Sequence, residues 1–479
     1  MAQFSLRRLT PAQVALLRAV ARAAPRGIEP ALVGGAVRDT LLGRPGAVDL
    51  DVAVPHGALA MARRLADALG SAFVPLDPER GAARVVTPGH RLDLADFRAP
   101  TLETDLAARD FTVNALAVPL APLLRRGHAP IVDPSGGLAD LAARRLRTPG
   151  PHVLDDDPVR ALRGVRLSVS LGLRLTAATR AAIRRAAPAV ARVAAERVRD
   201  EVMAILAVAD TGRALRSTER LGLLRVIVPE TDAMRATPQP APHRFDVLEH
   251  SLRAVAACDR LLPRLATLAP FGAELAAHVT EPLGGGIGRG QILKLAALLH
   301  DVSKPETRRR VGGRVRFFEH DVLGAARARV IGERLRLPQR ATAVLERLVR
   351  HHLRPMHLAA AGEVTPRARY RFLRDVGADT RDLVLLVLAD ASAVRGESPF
   401  RLWARARLLR ELLVGWEEEQ ASAPREPLVR GGDVMARFGL SPGPEVGRLL
   451  ARAREAQDLG LVHTRDDALA YLDSSVDDS

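Results

Sequence analysis

Short apolar runs and helical patches alternate over the first 145 or so residues, punctuated by glycine and proline, and this predicts a mixed α/β region. Val48 to Val54 reads as a strand. Leu32 and Val33 read as the end of another, Gly34 and Gly35 as a tight turn, and Ala36 to Leu42 as a helix opening on that turn. Beyond about residue 150, apolar residues recur at three- and four-residue spacing almost throughout, as in Glu196 to Ala207 and Arg401 to Glu419. Helices, and no strand, are expected there. Proline and glycine break the pattern at 148–151, at 237–242 and near Pro424. The expected fold is therefore α+β in four parts: a mixed α/β head with a small sheet over 1–147, then an elongated all-α body. The body divides into a helical neck over 148–237, a helical domain over 238–423 and a helical tail over 424–479. Gly284 to Gly288 is expected to form a flexible loop in the third part.

Composition adds a partner class. Apolar residues make up 47% of the chain, yet no uninterrupted apolar stretch reaches the ~18 residues of a membrane span, so no membrane association is expected. A net charge of +16 and a pI near 11.2 favour a polyanionic partner, nucleic acid ahead of lipid. Only Lys294 and Lys304 stand among 71 basic residues, so the preference for arginine reads as a coding bias, but the charge itself remains. Aromatic residues at 3% argue against a broad base-stacking platform and favour recognition by shape and phosphate contacts. The single cysteine, Cys258, forms no internal disulfide and fits a reducing compartment. The N-terminus lacks a secretory pattern, and a cytoplasmic location is expected. No oligomeric state is predicted.

Asp49-Leu50-Asp51 lies in an otherwise apolar strand, where alternation puts both carboxylates on one face. Two like charges there repel and desolvate each other unless a cation joins them, and hard oxygen ligands suit Mg²⁺. Paired metals would activate an attacking hydroxyl and stabilise a pyrophosphate leaving group. Asp93, on a later strand pattern, is a candidate third carboxylate. About fifteen residues before the pair, Gly34 and Gly35 let backbone N–H groups approach an anion, and Arg38 offers a charged donor to a triphosphate.

Gly34-Gly35-Ala36-Val37-Arg38-Asp39 followed by Asp49-Leu50-Asp51 resembles the opening motif of class II tRNA nucleotidyltransferases and bacterial poly(A) polymerases. Arg109-Asp110-Phe111-Thr112-Val113-Asn114-Ala115 is similar to that family's sugar- and phosphate-recognising element, with Ala108 in place of a first arginine. Asp156-Asp157-Pro158-Val159-Arg160 resembles the signature that reads the incoming base, with Asp156 in place of glutamate and Arg163 one turn beyond Arg160. A carboxylate acceptor and an arginine donor match the amine and ring nitrogen shared by cytosine and adenine. The same aspartates also read as a helix N-cap before a first-turn proline. Glu196 to Glu201, Leu221 to Leu224 with Val228 to Glu230, and the segments beginning at Pro427 and Pro442 continue the family's order. The resemblance implies a nucleotidyltransferase head, Mg²⁺ on Asp49 and Asp51, CTP and ATP as donors, and tRNA as acceptor. Full CCA addition, partial CC or A addition and poly(A) synthesis all remain open, although Ala108, Asp156 and the short Asp51-to-Arg109 connection lean towards a specialised member.

In the third part, His250, His300, Asp301 and Asp390 resemble an HD domain, whose members hold a divalent metal and hydrolyse phosphoesters. His320, with His351 or His352, would complete a second metal position. Lys304 persists where the arginine bias would replace it, which suggests that a compact ammonium is wanted. A metal-dependent phosphohydrolase with an RNA-binding head, and a non-catalytic RNA-binding scaffold, are the alternatives from other classes.

Overall fold

The computed structural model describes residues 2–44, 49–421 and 426–474, so the start of the Val48 strand and the Pro424 boundary lie outside the described residues. The chain forms two compact units that divide between Pro229 and Glu230.

The first unit is built on a six-stranded sheet: β1 (Ala31–Val33), β2 (Asp49–Val54), β3 (Ala72–Asp77), β4 (Ala82–Thr87), β5 (His90–Asp96) and β6 (Ala117–Pro119), ordered β3-β4-β5-β2-β1-β6. Only β2 and β5 pair in parallel, and their register sets Asp49 opposite Arg91 and Asp51 opposite Asp93. Leu50, Val52, Val54, Leu92 and Leu94 alternate with those polar positions and are buried, so a two-residue period drives the core and aims the charges to the other face. Helix α1 (Gly35–Leu41) leaves the end of β1. Helices α2 (Arg160–Ser170) and α3 (Ala195–Leu206) pack together further along the unit.

In the second unit, α4 (Val247–Leu261), α5 (Arg289–Leu299), α6 (His320–Arg334), α7 (Gln339–His351) and α8 (Thr380–Arg395) form the core. Helix α5 is buried from Ile292 to Leu299 without a break, as is α8 from Asp382 to Ala389. Helices apolar all round belong at the centre of a bundle, and both deliver polar residues at or near their C-terminal ends.

Three expectations are corrected. Strands do occur in the helical region: Arg145–Leu146 pairs in parallel with Arg174–Leu175, Pro282–Gly284 pairs with Ile287–Gly288, and β7 (Arg308–Val311) pairs with β8 (Arg314–Phe317). Glycine doublets make both hairpins: Gly285 and Gly286 have φ of 56° and 74°, and Gly312 and Gly313 have 57° and 75°. Two consecutive positive φ values make the tight turn that matches strand twist. The run Gly284 to Gly288 is thus a hairpin and not a flexible loop. The helix read over 401–419 is interrupted at Ala406, between Pro399–Arg405 and Arg407–Ala421. There the Arg410 guanidinium donates to the carbonyls of Trp403 and Ala404, at 2.7 and 3.2 Å, satisfying acceptors that the break releases.

Gly164 lies in α2, where an added Cβ would meet the buried Phe111 Cζ at 2.7 Å. Alanine improves helix propensity by about 1 kcal/mol, whereas overpacking a core costs about 1–3 kcal/mol. Gly164→Ala is therefore expected to lower the stability of the first unit, measured by urea denaturation; an unchanged or raised midpoint would contradict this packing.

Candidate functional site

One face of β2 and the adjoining β5 carries Asp49, Asp51 and Asp93. Two are neutralised by neighbouring strands' arginines. Arg91 forks onto Asp49 at 2.5 and 3.0 Å, and Arg84, in register on β4, forks onto Asp93 at 2.7 and 2.8 Å. Asp51, between them, has no such fork. Burial, with Asp93 and Asp49 adding to it against the pull of Arg109 and Arg38, pushes its carboxyl up to about 6. Gly34 sits directly over it. With φ of 71°, an added Cβ would lie 3.1 Å from Asp51 Oδ2 and 3.2 Å from Arg109 Nη1, so glycine alone lets the backbone lie on this pair.

Asp49, Asp51, Asp93, Arg84 and Gly34 line a cavity of about 870 Å³, together with Gly35, Arg38, Arg109, Asp110, Asn114, Arg160 and Arg163. Arg38 forks onto Asp39 at 2.9 and 2.8 Å and donates to Asn114 Oδ1. Asn114 in turn donates to Asp110 at 3.0 Å. Asp110 also accepts from the Phe111 amide at 2.8 Å and from Arg163 at 3.3 Å. Burial alone would raise Asp110, but Arg163 and the two hydrogen bonds outweigh it and hold its carboxyl below the usual value.

Asp157 and Arg160 are brought together at 3.6 Å. Asp157 also accepts from Arg197 at 2.8 Å, while its Oδ1 is buried without a partner. Arg160 donates to the carbonyls of Ala108 and Val153 at 3.1 and 3.3 Å, so position 108 contributes through its backbone. The N-cap alternative is corrected: α2 starts after Val159 with no side-chain cap, and exposed Asp156 ends the short helix Val153–Asp156, away from the cavity lining. Arg84, Arg91, Arg98, Arg166 and Glu201 were not foreseen. Glu201 on α3 receives both Arg163 and Arg166, and only the α2–α3 packing reveals the role of a carboxylate visible in the sequence as part of an amphipathic helix.

The second unit gathers two groups, His250 with His300 and Asp390, and Asp301 with His320 and His352. Within each, one potential ligand atom per residue lies within 4.8 Å of the others; among the described residues the Asp49, Asp51 and Asp93 set is not so close. Asp301 joins the two groups, its Oδ2 lying 3.2 Å from His300 Nε2 and its Oδ1 3.4 Å from His320 Nε2. Nδ1 of His300, His320 and His352 faces the carbonyl of Ala297, Phe317 and Val349 at 3.0, 2.8 and 2.7 Å. Donation there leaves each Nε2 lone pair directed at the centre. His320 Nε2, His352 Nε2 and Asp390 Oδ1 are buried without hydrogen-bond partners, as unfilled ligand atoms would be. His351 is outside both groups: successive helical residues project about 100° apart, so one histidine of the pair turns in and the other away. Lys304 reaches Asp301 Oδ2 and Gln239 Oε1, both at 2.7 Å. His243 was missed; its ring lies edge-on to His250 at 4.9 Å, and burial pulls it down to about 4.

Family models match in the same order: the poly A polymerase head domain over residues 31–147, the probable RNA and SrmB-binding site of polymerase A over 172–235, and the HD domain over 247–394. The chain is 39% identical to an A-adding tRNA nucleotidyltransferase of Deinococcus radiodurans, covering 92% of this chain and 94% of that one. It is 37% identical to a CC-adding tRNA nucleotidyltransferase of Thermus thermophilus, over 92% of each. A CCA-adding enzyme solved in complex with ATP shares the fold, with a TM-score of 0.65 at 19% identity over 99% of this chain and all of that one. The α/β head with its carboxylate-floored cavity, followed by helices, is a nucleotidyltransferase architecture. The chain belongs to the tRNA nucleotidyltransferase and poly(A) polymerase family. Among the described residues no helix is long and apolar enough to cross a membrane.

Asp110→Asn removes the charge that Arg163 faces, while Arg163 keeps Glu201. A loss of about 1–2 kcal/mol is expected at pH 7. Because folding lowers the Asp110 pKa, the wild-type advantage is present above the unfolded value of about 3.9 and disappears as pH falls through the folded one. Denaturation curves of both proteins from neutral to acid pH test this; a gap that persists unchanged at low pH would refute it.

Proposed function

We propose that the chain transfers CMP, AMP or both from CTP and ATP to the 3′ hydroxyl of tRNA, with Asp49 and Asp51 as ligands for Mg²⁺. The observation carrying this is the carboxylate face of β2 on the floor of an arginine-lined cavity, with the incompletely neutralised Asp51 under Gly34. An all-oxygen donor set on one face fits hard divalent cations, and Asp93 is the nearest addition to it. When bound, such ions supply charge stabilisation to the attacking hydroxyl and the departing pyrophosphate. Arg38 and Arg109 hold the triphosphate, with Gly34 and Gly35 giving it backbone access. Asp110, Asn114 and Arg163 form the bonded frame beneath the sugar. Asp157 and Arg160 select cytosine and adenine over uracil and guanine, and Asp156 flanks them. The four-part division at 147, 237 and 423 and a cytoplasmic location belong to the same reading. The A-adding and CC-adding relatives support partial addition over a complete CCA cycle or poly(A) synthesis.

The test is incorporation of each labelled NTP separately, with magnesium, into tRNAs ending before C, CC or A. Uptake of CTP or ATP is expected, and none from any NTP would sink the reading. Asp49→Ala is expected to reduce incorporation by at least about a hundredfold; undiminished activity would move the metal assignment elsewhere.

The two His and Asp groups favour a second activity, metal-dependent phosphoester hydrolysis, because their orphaned Nε2 and Oδ1 atoms converge in a buried site. Divalent ions held there would supply an activated nucleophile. His250, His300 and Asp390 hold one ion, His320 and His352 with Asp301 the other, and Lys304 stays on Asp301. Hydrolysis of a 2′,3′-cyclic phosphate with manganese or nickel, lost in Asp301→Ala, is expected; no turnover with either ion excludes this activity.

A further inference from the structure

The β7–β8 hairpin interrupts the second metal-ligating group. It follows the short helix Lys304–Thr307, just after Asp301, and ends at Phe317, whose carbonyl accepts from His320 Nδ1 at 2.8 Å. Its ten residues from Arg308 to Phe317 include five arginines and no acid. The register sets Arg309 opposite Arg316 and Val311 opposite Arg314, so these four share one face. The other face carries Val315 and Phe317, both half-buried on β8, opposite the exposed Arg308 and Arg310 of β7, and the Phe317 ring lies 5.5 Å from the Lys304 ammonium. The hairpin is therefore seated through that second face, and Arg309, Arg314 and Arg316 are exposed on the first.

Like charges directly opposed on a two-stranded ribbon destabilise it, and such a ribbon has little stability to spare. Yet among the described residues no carboxylate pairs with any of these arginines. Arg309 reaches only the backbone carbonyls of Glu306 and Arg308, while the Glu306 carboxylate is taken by Ser303 and Arg327. Protecting the ribbon's edges needs charge, but alternating signs would protect them while adding cross-strand attraction. A single-signed face makes sense against an anionic partner. Immediately after β8, Phe318 is 56% exposed, offering a ring beside the charges.

We propose that this face binds a single strand of RNA, with Arg309, Arg314 and Arg316 on backbone phosphates and Phe318 stacked under a base. The choice of RNA over an anionic membrane rests on the phosphoesterase reading: the hairpin's attachment to His320 places a phosphodiester strand beside a site suited to phosphoester chemistry. The arm would thus feed RNA ends to that centre independently of the nucleotidyltransferase cavity.

The test uses the full chain and a fluorescent single-stranded RNA of about 12 nucleotides, without added metal, so that absent hydrolysis leaves the binding result intact. Binding is measured between about 50 and 200 mM salt. Replacing Arg309, Arg314 and Arg316 together by threonine is expected to weaken binding at least about tenfold and to flatten the plot of log affinity against log salt by about 2, the value for three lost single-strand phosphate contacts. The triple lysine variant should keep the slope. Phe318→Ala should weaken binding with the slope unchanged. Hydrogen exchange should show protection of 308–318 by RNA; in every variant nucleotide incorporation into tRNA should match the wild type, which verifies the first unit, and RNA-free exchange of the second unit outside 308–318 should match it too, which verifies the second. Unchanged affinity and slope in the threonine variant, or protection of the hairpin by phosphatidylserine vesicles but not by RNA, would overturn the proposal.

Discussion

The parallel register of β2 and β5 is the constraint on which the first unit depends, because it stacks Asp51 against Asp93 with Asp49 two residues away. Three carboxylates on adjoining strands repel, and the sheet offsets this with arginines at fixed register positions, Arg84 on β4 and Arg91 on β5. Both pairs are partly exposed, so screening leaves each worth no more than about 1 kcal/mol. Their larger consequence is geometric. They immobilise the outer two carboxylates and leave Asp51, under Gly34, as the charge that the site has not neutralised.

The second unit meets a similar problem with a different chemistry. Asp301 is buried among histidines, and burial alone would favour its neutral form; His300 and Lys304 overcome that and hold it well below the usual carboxylate range. Backbone carbonyls at the ends of α5, β8 and α7 orient the imidazoles, so ring placement follows from where those elements stop. This is why helices as apolar as α5 and α8 matter to the chemistry. Their burial fixes the points from which His300, Asp301 and Asp390 project.

What was legible in the sequence was local. The apolar alternation around Asp49 and Asp51, the glycine turn and the unbroken run Ile292 to Leu299 each depend on neighbours along the chain, and the elements form there. Register was not legible: nothing in Arg91 announces that it will fork Asp49, since that depends on a parallel pairing between strands about forty residues apart, and the Arg84–Asp93 fork depends on the register of the antiparallel β4–β5 hairpin. Nor could the choice of His352 over His351 be made without the helix's rotation about its axis. The strands beyond residue 150 were overlooked for another reason. They are two to four residues long, too short for a two-residue period to stand out, and for the two hairpins the signal lay in the Gly285-Gly286 and Gly312-Gly313 doublets.

Charge is best understood here by pairing instead of by sum. In a chain that uses arginine almost everywhere, the two lysines are both buried, Lys294 at 2.8 Å from Asp259 and Lys304 at 2.7 Å from Asp301. A guanidinium is planar and broad, with five donors to satisfy, whereas an ammonium delivers the same charge from a compact tip. Beside Asp301 that difference is decisive, because the aspartate must neutralise a cation and still present oxygens to the histidine groups on either side of it. A fork like Arg84 on Asp93 would occupy both oxygens at once. In a chain whose other cations are almost all arginine, the lysine here neutralises Asp301 through Oδ2 and leaves Oδ1 facing His320.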